Sequence, residues 1–270
     1  MNEKNVEYLE KQLQMTGFSD ETKAELRTKI AEEQDSFQLT EKKDYGQDKV
    51  EARLNFSRSD QGNYFFNSYD LILQKEKADQ SNMHQFKVNY GNTFTLKEAY
   101  NLLDGRSVNK NFIKVDKEDS KNNKVTNAWS YMDFKNTDAK GNFMIQRKFG
   151  FDLEAALNKL PLKNGQNAQV MENLVGSLNK GNRQYVVLEI EGKEEKRYLE
   201  AAPKYGNINI YNEQMVRQYA SVAKDRSPQQ TEGQEKNVSV DQKQGKKEQQ
   251  DEEGPAGKKK QRTGRSRKVV

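Results

Sequence analysis

The chain has no cysteine and a single histidine, His84. The missing thiols remove disulfides, thiolate nucleophiles and Cys-type zinc sites together, and their absence fits a reducing compartment. With one imidazole and no thiol, neither a His-rich zinc site nor a Cys-His pair can be assembled. Also missing is any apolar run near the roughly 18 to 20 residues that span a bilayer. The opening stretch MNEKNVEYLEKQ is charged where a signal peptide is apolar, so a cytoplasmic protein with no membrane association is expected. Neither GxxxxGK[ST] nor GxGxxG occurs; each glycine has a turn or helix-stop explanation, and no cofactor is expected.

Charge is unevenly placed. The whole chain holds 46 Lys+Arg against 41 Asp+Glu, and residues 221–270 hold 13 against 8, so the entire surplus of five belongs to the tail. Residues 1–220 are balanced and carry no net attraction for polyanions; binding there must be local. The last thirteen residues contain seven cations and no acid: Lys258, Lys259, Lys260, Arg262, Arg265, Arg267 and Lys268. Residues 221–270 have no aromatics and only scattered valines, too little apolar area to offset ordering entropy, and they read as disordered. With 33% hydrophobic residues overall, the core must lie in the preceding 220.

Before the tail, periodicity alternates between helix and strand. Val6, Leu9 and Leu13 mark a first helix ended by Gly17, and Ser19 caps a second carrying Leu26 and Ile30. Ala52, Leu54 and Phe56 alternate with polar residues, then SDQGN turns the chain into NYFFNSYDLILQ, a hairpin. The strand MHQFKVNY leads to FTLKEAYNLLDG, where Thr95 and Glu98 have capping-box spacing and Gly105 stops the helix. A second hairpin, AWSYMDF to FMIQRKFGF around KNTDAKGN, precedes DLEAALNKL, which Pro161 halts. A helix over 168–180, with Val170, Met171, Leu174, Val175 and Leu178 inward, ends at Gly181. A hairpin follows over 183–203, then the strand GNINIYN and a terminal helix capped by Asn212.

These segments predict an α+β fold of antiparallel sheets with packed helices, about nine strands and six helices. LNFSRSDQGNYF parallels MDFKNTDAKGNF, and FTLKEAYNLL parallels FDLEAALNKL, which suggests a duplicated hairpin-plus-helix unit. The polar segment VDKEDSKNNKVTN reads as a linker, dividing a unit of 1–108 from one of 109–220, with 221–270 as the tail.

The stretches LLDGRSVNK, AWSYMDF, FGFDLEAALNKLPLK, SLNKGNRQYV, YLEAAPKYGNINIYN and MVRQ, with NVEYLEKQL, VEARLNF and NYFFNSYD before them, resemble a family of uncharacterised proteins. That family is carried by conjugative transposons of anaerobic gut bacteria. The resemblance covers about residues 1–218. It rests on GNRQ, DLEAAL and the Gly-Arg-x-Val-x-Lys run, specific as a set. It implies a mobile-element setting beside DNA-processing proteins such as topoisomerase-like enzymes, and supplies no catalytic residues. The chain departs from the family at Ala201–Pro203, Ala-Ala-Pro in place of Ala-Asn-Pro, so no asparagine role carries over there.

Candidate binding residues follow. The seven tail cations offer forked and point contacts to phosphate. Arg106 and Lys110 follow one helix, and Lys180 and Arg183 flank Gly181 after another. Basic groups at helix C-termini suit the macrodipole without any ligand, and the alternative is a phosphate-contacting patch. Tyr64 and Tyr69 would stack bases if exposed on a sheet, and are core residues otherwise. Alternation puts His84 with Phe86 and Val88, a partly buried structural histidine rather than a general base. The expected function is a non-enzymatic accessory protein of a mobile element. It would bind DNA or RNA through the tail, and a protein, such as a DNA-processing protein of the same element, or nucleic acid through the body. The alternatives are a protein-interaction module with a solubilising tail, and a carboxylate-metal nuclease-like enzyme.

Overall fold

The computed structural model describes residues 2–218, apart from residues 90 and 117. Three antiparallel meanders follow one another along the chain, each introduced by helix. Helices α1 (Glu3–Thr16) and α2 (Asp20–Ala31) precede a sheet of β1 (Ser36–Tyr45), β2 (Asp48–Arg58), β3 (Tyr64–Gln74) and β4 (Asn82–Lys87). Helix α3 (Leu96–Leu103) precedes β5 (Val108–Lys114), β6 (Lys124–Thr137) and β7 (Phe143–Lys148). Helices α4 (Leu153–Leu157) and α5 (Ala168–Asn179) precede β8 (Gln184–Ile190), β9 (Lys193–Ala202), β10 (Asn207–Tyr211) and β11 (Arg217–Gln218). The fold is therefore α+β. Among the described residues no helix is long and apolar enough to cross a membrane.

Local chemistry sets the helix ends. Gly17 closes α1 at φ 91°, Ser19 Oγ accepts from Thr22 N at the start of α2, and Thr95 with Glu98 forms the reciprocal capping box of α3. Each such cap contributes about 1 kcal/mol.

Two apolar cores share the body. The first gathers α1, α2, α3 and the first sheet, and also Val108, Phe112, Ala128 and Met132 from the second sheet. The other gathers Trp129 with Leu153, Leu157, Leu174, Leu178, Leu199 and Ile208. Ala128 and Trp129 are neighbours in β6 and point to opposite faces, so this strand is the wall between the cores. The division thus runs through β6, not after residue 108, and the described residues fall within one compact unit. The residues expected as a linker, 115–127, are the β5–β6 connection plus the first turns of pairing in β6.

Several expectations change. β1, β5 and β11 are strands the sequence reading did not contain, and the described residues hold eleven strands and five α-helices. No helix starts at Asn212: its Oδ1 accepts from Gln214 N and Val216 N in a turn, and Arg217 then pairs with Tyr211. Val170 faces outward at 42% exposure, while Leu174 and Leu178 are the buried positions of α5. The proposed duplication survives in its turns only. Ser59 and Asp138 occupy the same place, each receiving the N–H of a glycine three residues on (Gly62, φ 79°; Gly141, φ 82°). After them the units diverge, for β4 intervenes before α3, and Asn101 is buried where Asn158 is exposed. The expected disorder of 221–270 lies outside the described residues.

Candidate anion-binding cleft

The turn after α3 and the turn after α5 are built to interlock. Gly181 sits at φ 79°, and a Cβ there would lie 2.8 Å from the Ser107 carbonyl oxygen and 3.1 Å from Asn101 Cβ. Buried Asn101 donates through Nδ2 to the Lys180 carbonyl at 2.6 Å and to Asn182 Oδ1 at 3.0 Å. Arg106 Nη1 donates to the Gly181 carbonyl at 3.3 Å. The end of α3 and the turn after α5 therefore meet in space, through bonds that join residues 79 and 75 positions apart.

Beside this clasp opens a cleft of about 630 Å³ lined by Asp48, Lys75, Lys97, Tyr100, Asp104, Arg106, Asn182, Arg183, Gln184 and Met215. Its two guanidiniums are held from behind. Arg106 Nε lies 2.9 Å from Asp104 Oδ2, and its guanidinium lies 5.0 Å from the Tyr100 ring centre. Arg183 Nε donates to Glu200 Oε2 at 2.7 Å, and its guanidinium lies 5.0 Å from the Tyr211 ring centre. Glu200 is buried and also receives Asn209 Nδ2 and Tyr211 Oη. Arg106 Nη2 and both terminal nitrogens of Arg183 hydrogen-bond to no described residue. Asp104 additionally pairs with Lys75.

Lys97 differs from the other cations because no carboxylate pairs with it among the described residues. Its ammonium lies 4.2 Å from the Tyr45 ring centre and 4.6 Å from that of Tyr100. Burial first, then repulsion from Arg106 and Lys43, brings it down to about 8, against the opposing pull of Asp104. Burial likewise pushes the Tyr100 phenol above its ordinary range, helped by Asp104 and by the hydrogen bond it donates to Asp48. For Arg183 burial works against the charge, but Glu200 outweighs it and the guanidinium is held above its usual value.

Of the residues picked out in the sequence, Arg106 and Arg183 are brought together, and Lys180 is exposed beside them. Lys110 goes elsewhere: it pairs with Glu98 at 2.9 Å, at the opposite end of α3 from Asp104. Tyr64 and Tyr69 are corrections. They are 3% and 0% exposed, and their hydroxyls donate to the carbonyls of Gln34 and Phe94, so neither presents a face for a base. A bulge explains the pair. Asn55 faces Ser68 while Phe56 faces Phe66, so Asn67 is an extra residue that reverses the alternation and turns both tyrosines inward. Phe65 is the exposed aromatic of that strand. The tail cations Lys258, Lys259, Lys260, Arg262, Arg265, Arg267 and Lys268 lie outside the described residues. Lys75 and Lys97 were missed because Lys75 follows β3 and Lys97 opens α3, and no local spacing links them to the two arginines.

Among the described residues no group of three or more His, Asp or Glu side chains converges as a metal site would require. A second, apolar groove of about 350 Å³ lies between α5 and β8, lined by Leu162, Val170, Met171, Leu174, Tyr185 and Val187 among others. No protein-family model, curated protein or solved structure matches the chain.

Proposed function

We propose that the protein is a non-enzymatic nucleic-acid-binding accessory of a mobile element, its body offering the Arg106–Arg183 cleft and its tail a sequence-independent hold on phosphate. The observation that supports this reading most is the meeting of those two guanidiniums in a cleft with two further cations, Arg106 Nη2 and both Arg183 terminal nitrogens bonding to no described residue. Arginine presents a planar fork that matches phosphate geometry, and phosphate contacts dominate nonspecific affinity. The seven cations of the last thirteen residues add a handle of the same chemistry.

The test is a titration of nonspecific single- and double-stranded DNA by fluorescence anisotropy, with the full chain and with a chain ending at Ala223. Full-length protein should bind both, with a log-log salt slope on duplex approaching about −6 if every one of the tail cations engages and shallower if fewer do. The shortened chain should bind more weakly and with less salt dependence. Negligible binding by both would reject the proposal. It would favour the second reading, a protein-docking body, for which the groove between α5 and β8 is the supporting feature.

A further inference from the structure

The geometry points to a phosphate monoester, the end group of a nucleic-acid strand, as the occupant of the Arg106–Arg183 cleft. This inference rests on the nucleic-acid reading above and narrows it. Three features lead from the cleft to that group.

The first is reach. The Arg106 side chain is only 7% exposed, whereas Arg183 is 31% exposed. The phosphates of a duplex form a convex rail that meets exposed cations such as Lys180 and does not enter a recess. A terminal phosphate protrudes and can enter the recess that Lys97, Arg106 and Arg183 line. The volume of about 630 Å³ falls within the range of roughly 300 to 1,000 Å³ usual for small-ligand sites, with room for an end nucleotide behind the phosphate.

The second is charge. Four cations line the cleft against two carboxylates, and Glu200 behind Arg183 reduces the surplus from two to one. So small an excess gives little long-range pull on a polyanion. It suits one compact anion held by short, directed hydrogen bonds, which depend on orientation more than on net charge.

The third is preparation. Arg106 is held by its Nη1 hydrogen bond to the Gly181 carbonyl and its pairing with Asp104, Arg183 by its Nε hydrogen bond to Glu200, and each lies beside a tyrosine ring, so binding costs little further side-chain entropy. Asn182 and Gln184 also line the cleft, each amide nitrogen donating within the protein, to Ser177 Oγ and to the Arg183 carbonyl, with a second N–H left over. The Lys97 ammonium, which pairs with no carboxylate among the described residues, gains a partner when the anion arrives.

The experiment compares a short single-stranded oligonucleotide carrying a phosphate at one end with the same strand ending in hydroxyl, both on the full chain. The phosphorylated strand should bind about tenfold more tightly or better, the factor expected when one charge-assisted contact is gained. Arg183→Gln should abolish that ratio. Because it leaves buried Glu200 without its arginine and could loosen the fold, Lys97→Gln, which breaks no ion pair, is the companion variant and should reduce the ratio too. The ratio should also shrink as pH rises past about 8 and Lys97 loses its proton. Equal binding of the two strands by the native chain would overturn the end-phosphate inference and leave nucleic-acid binding standing. A ratio unchanged in both variants would overturn it equally. If neither strand bound but inorganic phosphate or a mononucleotide raised the thermal midpoint, the monoester chemistry would hold with a free metabolite as its source, and the nucleic-acid reading would fall.

Discussion

His84 stands on β4 with 6% exposure, its ring edge-on to Phe86 with 4.6 Å between centres, and its Nδ1 has no partner among the described residues. Burial, opposed only by the pull of Asp138, lowers the imidazole to about 4. In the unfolded chain it titrates near about 6.5, so between these values the unfolded state takes up the extra proton and stability falls as pH falls. By about pH 4 this one group removes on the order of 3 kcal/mol. His84→Leu should therefore lose less stability than the native chain between about pH 7 and about pH 4, as read from urea unfolding at each pH. Parallel losses in the two proteins would show that His84 does not titrate in this way. The inward placement of His84 was legible because MHQFKVNY alternates without interruption. That of Tyr64 and Tyr69 was not, because the extra residue at Asn67 is stabilised by pairing with β2 and leaves no mark in the local pattern.

The turn after α5 shows how an element end can be fixed by a distant one. Gly181 satisfies a local need, the left-handed stop of a helix, and a tertiary one, passage between Asn101 and Ser107. Gly181→Ala incurs a left-handed penalty of about 1 to 2 kcal/mol, plus the displacement of a carbonyl oxygen 2.8 Å from the new methyl. We expect a loss of about 2 to 4 kcal/mol in total, measured by chemical unfolding, and a weaker end-phosphate preference as the clasp opens. A loss below about 1 kcal/mol would mean the turn relaxes freely. Caps such as Ser19 and the Thr95–Glu98 box were readable because their chemistry spans three residues. β1 was not, since TEKKDY is charged and mostly exposed and its partner β2 supplies the pairing. β5 alternates Val108 and Phe112 with Asn and Lys, too sparse an apolar row to stand out alone. At Asn212 the helix signal lost to strand pairing with Tyr211. For the same reason the cleft was half legible: each arginine was visible at its own helix end, but their meeting belongs to tertiary structure.

At the scale of the molecule the two cores are not two domains. A fragment ending at residue 108 lacks Phe112, Ala128 and Met132, which complete the first core. It should show no cooperative thermal transition and a poorly dispersed amide spectrum, whereas a chain ending at Gln218 keeps both cores and should melt as the full protein does. A folded, sharply melting 1–108 fragment would refute the shared-wall description. That wall has a consequence for change over time. A party wall between two rooms cannot be replastered on one side without regard to the other: a bulkier side chain at Ala128 shifts the backbone that seats Trp129. Drift in this strand is thus expected to come as coordinated replacements on both sides rather than as single steps.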